Sequence, residues 1–307
     1  MPDRRKRIAV TGATGFVGRH LTEQLEGAGH EVVCLSRRTG FDLASPDRTA
    51  LESVLTGCDA VVHCAGINRE IGRQTYDSVH VRGTQALVEA ARSAHLAHIG
   101  VLSFLRARPD GPTAYHRTKW VAEAIVRESG IPYTVLKAGV IHGRGDHMLD
   151  HLSHALHSFP VFGLVGMHDQ LVRPVAVDDV ARILAAAGTG DERLRDQTIA
   201  VLGPDEITLG DAVRRVAHVV GRRPVYVRLP VAAHLLLAHA YEAVMRVPLI
   251  STAQVHILAE GIVEVAPRAS DPPADLVPTT PFSEAVIRAG MPEPGPFTCR
   301  DLRWWPA

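Results

Sequence analysis

Thr11-Gly12-Ala13-Thr14-Gly15-Phe16-Val17-Gly18 follows directly on the apolar run Ile8-Ala9-Val10 and opens a stretch of helical periodicity. Glycines at 12, 15 and 18 make a G-x-x-G-x-x-G loop at a strand-to-helix turn. Gly12 allows the tight turn, Gly15 lets the backbone approach a pyrophosphate, and Gly18 lets the helix pack close to the strand. Backbone N–H groups at the helix start then face the phosphates, where the helix dipole favours negative charge. The spacing predicts a dinucleotide site made by Gly12, Thr14, Gly15, Phe16, Val17 and Gly18.

Outward from this loop, short β-branched runs alternate with longer helical patterns, the signature of βαβ units and a parallel sheet. Strands are predicted at Arg7 to Thr11, Glu31 to Ser36, Ala60 to His63, His98 to Ser103 and Tyr133 to Lys137. Helices are predicted at Phe16 to Glu26, Arg48 to Leu55, Thr75 to Ser93 and Thr113 to Ser129. After Gly143 the alternation loosens, and a strand Val172 to Val177 leads into a helix near Asp178. Thr198 to Leu202 reads as the last strand of the main sheet. The fold expected is an α/β Rossmann type, a doubly wound parallel sheet over residues 1–204, with a smaller C-terminal substrate-side region over 205–307. The latter has predicted helices at Leu209 to Val220, Val231 to Met245 and Thr252 to Gly261, a strand at Val225 to Leu229, and a proline-rich loop from Ala266 to Pro281.

Lys plus Arg (33) balances Asp plus Glu (33), which leaves no strong field to attract nucleic acid or an anionic membrane. A small molecule is the expected substrate, and no nucleic-acid partner is expected. Cys34, Cys58, Cys64 and Cys299 lack metal-ligand spacing, so reduced thiols and a cytoplasmic location are expected, with no metal. His147, His151 and His154 share a helical face, read as solvated or hydrogen-bonded rather than as a metal site. No export signal is visible, and Leu229 to Met245 is too interrupted to span a membrane. That helix leaves peripheral membrane or protein docking open.

At the end of the second predicted strand, Ser36-Arg37-Arg38 stands where NAD enzymes place an acid for the adenosine ribose. Arg37, with Arg38, suits a 2′-phosphate, so NADP(H) is favoured over NAD(H).

The glycine loop resembles that of the extended and atypical short-chain dehydrogenase/reductase superfamily, similar to NAD-dependent epimerases and dehydratases. Five further motifs follow over residues 7–190. Asp42-Leu43 resembles the pair that contacts adenine, and His63-Cys64-Ala65-Gly66 resembles the loop beside the cofactor ribose. Tyr115-His116-Arg117-Thr118-Lys119 resembles the catalytic Y-x-x-x-K, with Ser103 before it, and Val81 to Thr84 and Arg173 to Ala181 complete the pattern. The short Ser103 to Tyr115 segment is closest to a subgroup similar to the nucleotide-binding accessory subunit of respiratory complex I. His80 and Ala138 depart from the family's usual asparagine and proline, and neither is expected to touch the Tyr/Lys chemistry.

The resemblance implies cofactor contacts from Asp42, Leu43, Cys64, Ala65, Gly66 and Lys119, and a catalytic set of Tyr115, Lys119 and Ser103. Tyr115 and Lys119, four apart on a helix, share one face. The ammonium is expected to lower the phenol from its ordinary value of about 10 toward the working range. Ser103 would donate to a carbonyl oxygen while Tyr115 delivers the proton. Arg173 is a candidate for gripping an anionic substrate, with a salt bridge as the equal alternative. The function expected is hydride transfer between NADP(H) and a carbonyl or alcohol. The alternative is a non-catalytic, nucleotide-bound assembly or redox-sensing protein. The two helices spanning 75–93 and 113–129 resemble those that pair in family homodimers.

Overall fold

The computed structural model describes residues 5–245, 248–267, 269–291 and 295–297. Along the chain come β1 (Arg7–Thr11), α1 (Phe16–Gly27), β2 (Glu31–Leu35), α2 (Arg48–Leu55) and β3 (Ala60–His63). A π-helical turn, Asp77–Arg82, runs into α3 (Gly83–Ser93), followed by β4 (His98–Phe104), α4 (Ala114–Arg127) and β5 (Tyr133–Ala138). Next are β6 (Ile141–His142), α5 (His147–Ser158), β7 (Val161–Val165), β8 (Leu171–Val172), β9 (Val175–Ala176), α6 (Val177–Thr189) and β10 (Gln197–Val201). The remainder is β11 (Ile207–Thr208), α7 (Leu209–Val219), β12 (Val225–Leu229), α8 (Val231–Val244), α9 (Thr252–Glu260) and α10 (Glu284–Gly290).

Two compact units share these elements. The first takes the described residues of 1–138, 177–201 and 265–278, and the second those of 139–176, 202–264 and 279–307. The single boundary expected at 204 is therefore corrected. Residues 139–176 pack in the second unit because β6 pairs with β9, β7 with β12 and β8 with β11. Residues 265–278 return to the first, where Ser270 bridges Ile199 and Asp275 binds Arg193.

The first unit is built on a six-stranded sheet in the order β10-β5-β4-β3-β1-β2, parallel throughout. Its strands are apolar on both faces because both are covered, as β3 shows by burying all of Ala60 to His63. On one face Ala9, Val61, Ile99, Val101 and Val135 meet Leu51, Leu55, Leu87, Val88 and Val126 from α2, α3 and α4. On the other, α6 lies so close that a Cβ on Gly188 would stand 2.9 Å from Val62. The chain leaves β1 toward β2 on one side and returns to β3 on the other. This makes the carboxyl ends of β1 and β3 the topological switch point, where doubly wound sheets bind ligands.

The second unit holds three two-stranded pieces and the remaining helices. Leu149, Leu156, Val216, Phe282 and Ile287 form one of its cores, and Val165, Ala238 and Val255 another. The strand expected at Val172 to Val177 is instead two short strands, β8 and β9, with different partners. Pro174 between them has no N–H to continue a ladder. No described helix is long and apolar enough to cross a membrane, and no described cluster of His, Cys, Asp or Glu could hold a metal ion.

Candidate active site

The glycine loop is a cradle that any side chain would fill. Gly12, at φ +69°, donates its N–H to Leu35 O at 2.8 Å, and a Cβ there would stand 2.8 Å from the Ala65 backbone. A Cβ on Gly18 would lie 2.1 Å from Gly12 O, so α1 sits directly on the turn. Gly15 caps α1 with no side-chain hydrogen bond, and its first turn carries no acid, which leaves the helix start open to an anion. After β2, Ser36 N–H donates to Thr39 Oγ1 at 2.9 Å and tightens the turn that presents Arg37 and Arg38. Both arginines are exposed and neither has an ion-pair partner among the described residues. Asp42 is exposed and accepts Ala44 N–H at 3.0 Å, while Leu43 is buried against Gly83. These features fit an NAD(P) dinucleotide: a side-chain-free cradle, an uncapped helix start and free cations at the ribose end.

Tyr115 and Lys119 sit on α4, capped by Thr113, whose side chain accepts His116 N–H. Tyr115 is half-buried among the rings of Tyr76, His80, Phe104 and His116, with centroids 5.4–6.2 Å away. Burial, then the nearby Tyr76, pushes its phenol above the ordinary 10.0. No hydrogen bond joins it to Lys119 among the described residues, so the lowered value expected from the sequence is corrected. The Lys119 amine donates to Leu102 O at 3.1 Å and lies 3.1 Å from the place a Gly66 Cβ would take. Burial brings it down to about 8, with Glu123 and Cys64 opposing. Cys64 is a free thiol pushed up to about 12 by burial. Cys34 and Cys58 are also free, while Cys299 and the His147 side chain lie outside what the structure describes.

Ser103 is committed elsewhere. Its hydroxyl donates to Glu123 Oε1 at 2.5 Å, and that carboxylate also takes Lys137 Nζ at 2.8 Å and pairs with Arg127. Glu123 and Lys137 are both 0% exposed. Sequence reasoning missed this pair, although a lone lysine inside the buried strand Tyr133–Ala138 was a usable signal. Arg173 lies in the second unit, where its Nε donates to Gly203 O at 3.0 Å.

Two buried histidines complete the surroundings of Lys119. His63 Nδ1 lies 2.6 Å from Thr11 Oγ1 and its Nε2 3.1 Å from Thr84 Oγ1. His80, on the π-helical turn, accepts Ile67 N–H on Nε2 at 3.1 Å, with Nδ1 3.0 Å from Thr118 Oγ1. Burial and then Lys119 hold both neutral, at about 3 and about 2. His80 thus touches the Tyr/Lys site, contrary to expectation. With Thr84, Ser103 and Lys119 the two rings line a small cavity at the carboxyl end of the sheet.

Comparison with known proteins agrees with this geometry. The NAD dependent epimerase/dehydratase family matches residues 8–203. The chain is 30% identical over 234 residues to an uncharacterized protein of Mycobacterium tuberculosis, covering 73% of this chain and 24% of that protein. It thus spans about a quarter of that relative's length. It is 29% identical over 243 residues to the ceramide reductase of Caulobacter vibrioides, covering 74% and 75%. With subunit 9 of the NADH dehydrogenase (ubiquinone) 1 alpha subcomplex of Arabidopsis thaliana it shares 25% over 240 residues, covering 72% and 60%. Among solved structures, Citrobacter sp. triphenylmethane reductase superposes with a TM-score of 0.66 at 19% identity, covering 92% and 99%, a likeness of fold.

Proposed function

Because the chain belongs to the NAD-dependent epimerase/dehydratase family, we propose that it is an NADP(H)-dependent oxidoreductase that works chiefly as a carbonyl reductase. The observation that carries this reading is the placement of Tyr115 and Lys119 one turn apart on α4, with Lys119 against the Gly66 loop at the switch point. Gly12, Thr14, Gly15, Phe16, Val17 and Gly18 would hold the pyrophosphate. Arg37 and Arg38 would hold the 2′-phosphate, Asp42 and Leu43 the adenine, and Cys64, Ala65, Gly66 and Lys119 the nicotinamide ribose. The bound dinucleotide supplies the hydride.

The protein's part is proton delivery. Tyr115, pushed above its ordinary value, is a neutral phenol at neutral pH and suits donation to the oxygen of a carbonyl under reduction. Lys119, mostly charged below about 8, stabilises the phenolate that remains. Ser103 takes the lesser part, since its hydroxyl must turn away from Glu123 to reach substrate. The likeness to a ceramide reductase favours reduction over epimerisation. Arg173 keeps a substrate-side role only through the guanidinium nitrogens that Gly203 does not occupy.

The second reading is a non-catalytic, nucleotide-bound assembly protein. It is favoured by the likeness to the Arabidopsis subunit and by the exposed residues of α8, which apart from His239 are Ala232, Leu236, Leu237, Ala240 and Ala243. A retained Tyr115 and Lys119 weigh against it. Calorimetric titration with NADPH and NADH, before and after Arg37→Glu, tests the first reading. The expected result is NADPH preference lost by about tenfold or more in the variant, the scale of a charge-assisted contact. With NADPH and a panel of ketones, Tyr115→Phe should lower turnover by about 10²–10⁴-fold. Binding of neither cofactor overturns the proposal, and binding without turnover moves it to the second reading.

A further inference from the structure

The hydrogen bonds of the two buried histidines run in fixed directions. Thr84 spends its proton on His80 O at 2.6 Å, so it accepts from His63 Nε2–H, and Thr11 must donate to His63 Nδ1. Thr11 in turn accepts Ala65 N–H at 3.3 Å. Thr118 spends its proton on Ala114 O at 2.8 Å, so it accepts from His80 Nδ1–H while His80 Nε2 accepts Ile67 N–H. The network therefore assigns opposite neutral tautomers, Nε2–H at His63 and Nδ1–H at His80.

The His63 ring ties the ends of β3 and β1 to α3; the His80 ring ties the loop after β3, at Ile67, to the turn of α4 between Tyr115 and Lys119. His80 also packs its ring 5.7 Å from that of Tyr115 and stands 3.5 Å from the position of a Gly66 Cβ, beside the Lys119 amine at 3.1 Å. It sits on a π-helical turn, a rare irregularity found frequently at functional sites. Nothing here needs His80 to exchange a proton. An imidazolium would lose the ability to accept from Ile67, and the Lys119 charge opposes its formation.

We infer that His80 is a positioning residue, a neutral imidazole staple that fixes the Gly66–Ile67 loop against α4 and so keeps water from the Lys119 amine and sets its place relative to Tyr115. The inference rests on the reading of Tyr115 and Lys119 as the reacting pair. The groups that bear on Lys119 are Glu123 on its own helix, Cys64 on the loop after β3, and the His80 and His63 rings. With the staple broken, the loop loosens, water reaches the amine, and its lowered value rises toward the ordinary 10.5.

The test is competitive acetylation of Lys119 against pH, read by mass spectrometry, in wild type, His80→Ala, His80→Gln and Thr118→Val. Gln can accept from Ile67 and donate to Thr118, whereas Ala can do neither. Thr118→Val keeps the packing and removes the far half of the staple together with the hydroxyl's own bond to Ala114 O. The expected result is a Lys119 midpoint near about 8 in wild type and His80→Gln. It should lie about one unit or more higher in His80→Ala, a loss of about tenfold in reactivity near neutral pH, with Thr118→Val between. A Lys119 midpoint unchanged in folded Thr118→Val, or one that moves equally in His80→Gln and His80→Ala, overturns the inference. NADPH titration of wild type separates the two claims, because failure to bind refutes the cofactor reading and leaves the acetylation result standing.

Discussion

The histidine rings and the carboxylate around Lys119 in the first unit use all their hydrogen-bonding atoms, whereas the second unit leaves several buried polar atoms without a partner among the described residues. Around Lys119, His63 and His80 each use both ring nitrogens, and Glu123 serves Ser103, Lys137 and Arg127 together. In the second unit Ser153 Oγ, Asp146 Oδ2 and His234 Nδ1 are buried with no hydrogen-bond partner among the described residues. Its surface is also more apolar, with Val225 62% and Leu236 74% exposed. The contrast teaches where geometry is held. A side chain that must deliver a proton needs its neighbours locked by complete hydrogen bonding, and a half-satisfied group is free to move or to meet a ligand.

The largest expected effect is that acid and alkali act oppositely on the two units. His63, His80 and His98 are held down at about 3, about 2 and about 4 by burial, all in the first unit. Below their ordinary 6.5 the unfolded chain binds protons that the folded unit refuses. Its stability therefore falls as pH drops, by about 1.4 kcal/mol per pH unit for each histidine. Asp146 goes the other way. Burial pushes its carboxyl up to about 7, so between 3.8 and about 7 the folded second unit keeps a proton that the unfolded chain has released. The second unit loses about 1.4 kcal/mol per pH unit as pH rises through that window. Hydrogen exchange, corrected for intrinsic rates, should show protection falling toward pH about 4.5 in β1, β3 and β4 and rising at the start of α5. Protection that follows one trend in both units would break the comparison.

Next in size is Glu123→Leu, which strands the buried Lys137 charge. Breaking such a pair costs about 3–5 kcal/mol, and Glu123→Leu with Lys137→Met together should recover most of it. Asp211, paired with Arg214 on the surface of the second unit and 51% exposed, should cost under about 1 kcal/mol when changed to Ala. Denaturant midpoints decide both. Equal costs at Glu123 and Asp211 would mean that the first unit's buried network is no more demanding than a surface pair.

These effects also mark what the sequence could and could not tell. β1, β3, β12 and α2 lie where periodicity and glycine spacing put them, because local pattern and tertiary environment agree. α5 and β7 were not read. His147 to Ser158 carries four histidines that dilute the apolar stripe, and β7 finds its partner only 64 positions later, at β12, a pairing no local window contains. That Tyr115 and Lys119 share one helix and that the glycines fall on the turn after β1 was legible, because each placement follows from spacing. The commitment of Ser103 to Glu123 was not, since a serine at a strand end looks the same whether it faces substrate or a buried carboxylate. The tautomers of His63 and His80 depend on three threonines and a backbone N–H from four separate segments, which only the folded chain assembles.

Effects smaller than that of Glu123→Leu come from one substitution made in each unit. Ser103→Ala removes a hydrogen bond to a buried carboxylate and should cost about 1.5–3 kcal/mol of stability. On the ketone panel it should lower turnover less than Tyr115→Phe does, because the Ser103 proton points at Glu123. Ser153→Ala in α5 breaks no hydrogen bond among the described residues, since the hydroxyl is buried at 1% exposure with no partner. Deleting it removes a desolvated polar group and places a better helix former mid-helix, for a gain of up to about 1 kcal/mol. Thermal melts of the two variants should therefore move in opposite directions. If Ser153→Ala loses as much as Ser103→Ala, the hydroxyl is satisfied in solution and the second unit is packed as completely as the first. A gain at Ser153 beside a loss at Ser103 would place the fixed polar geometry in the unit that holds Tyr115 and Lys119.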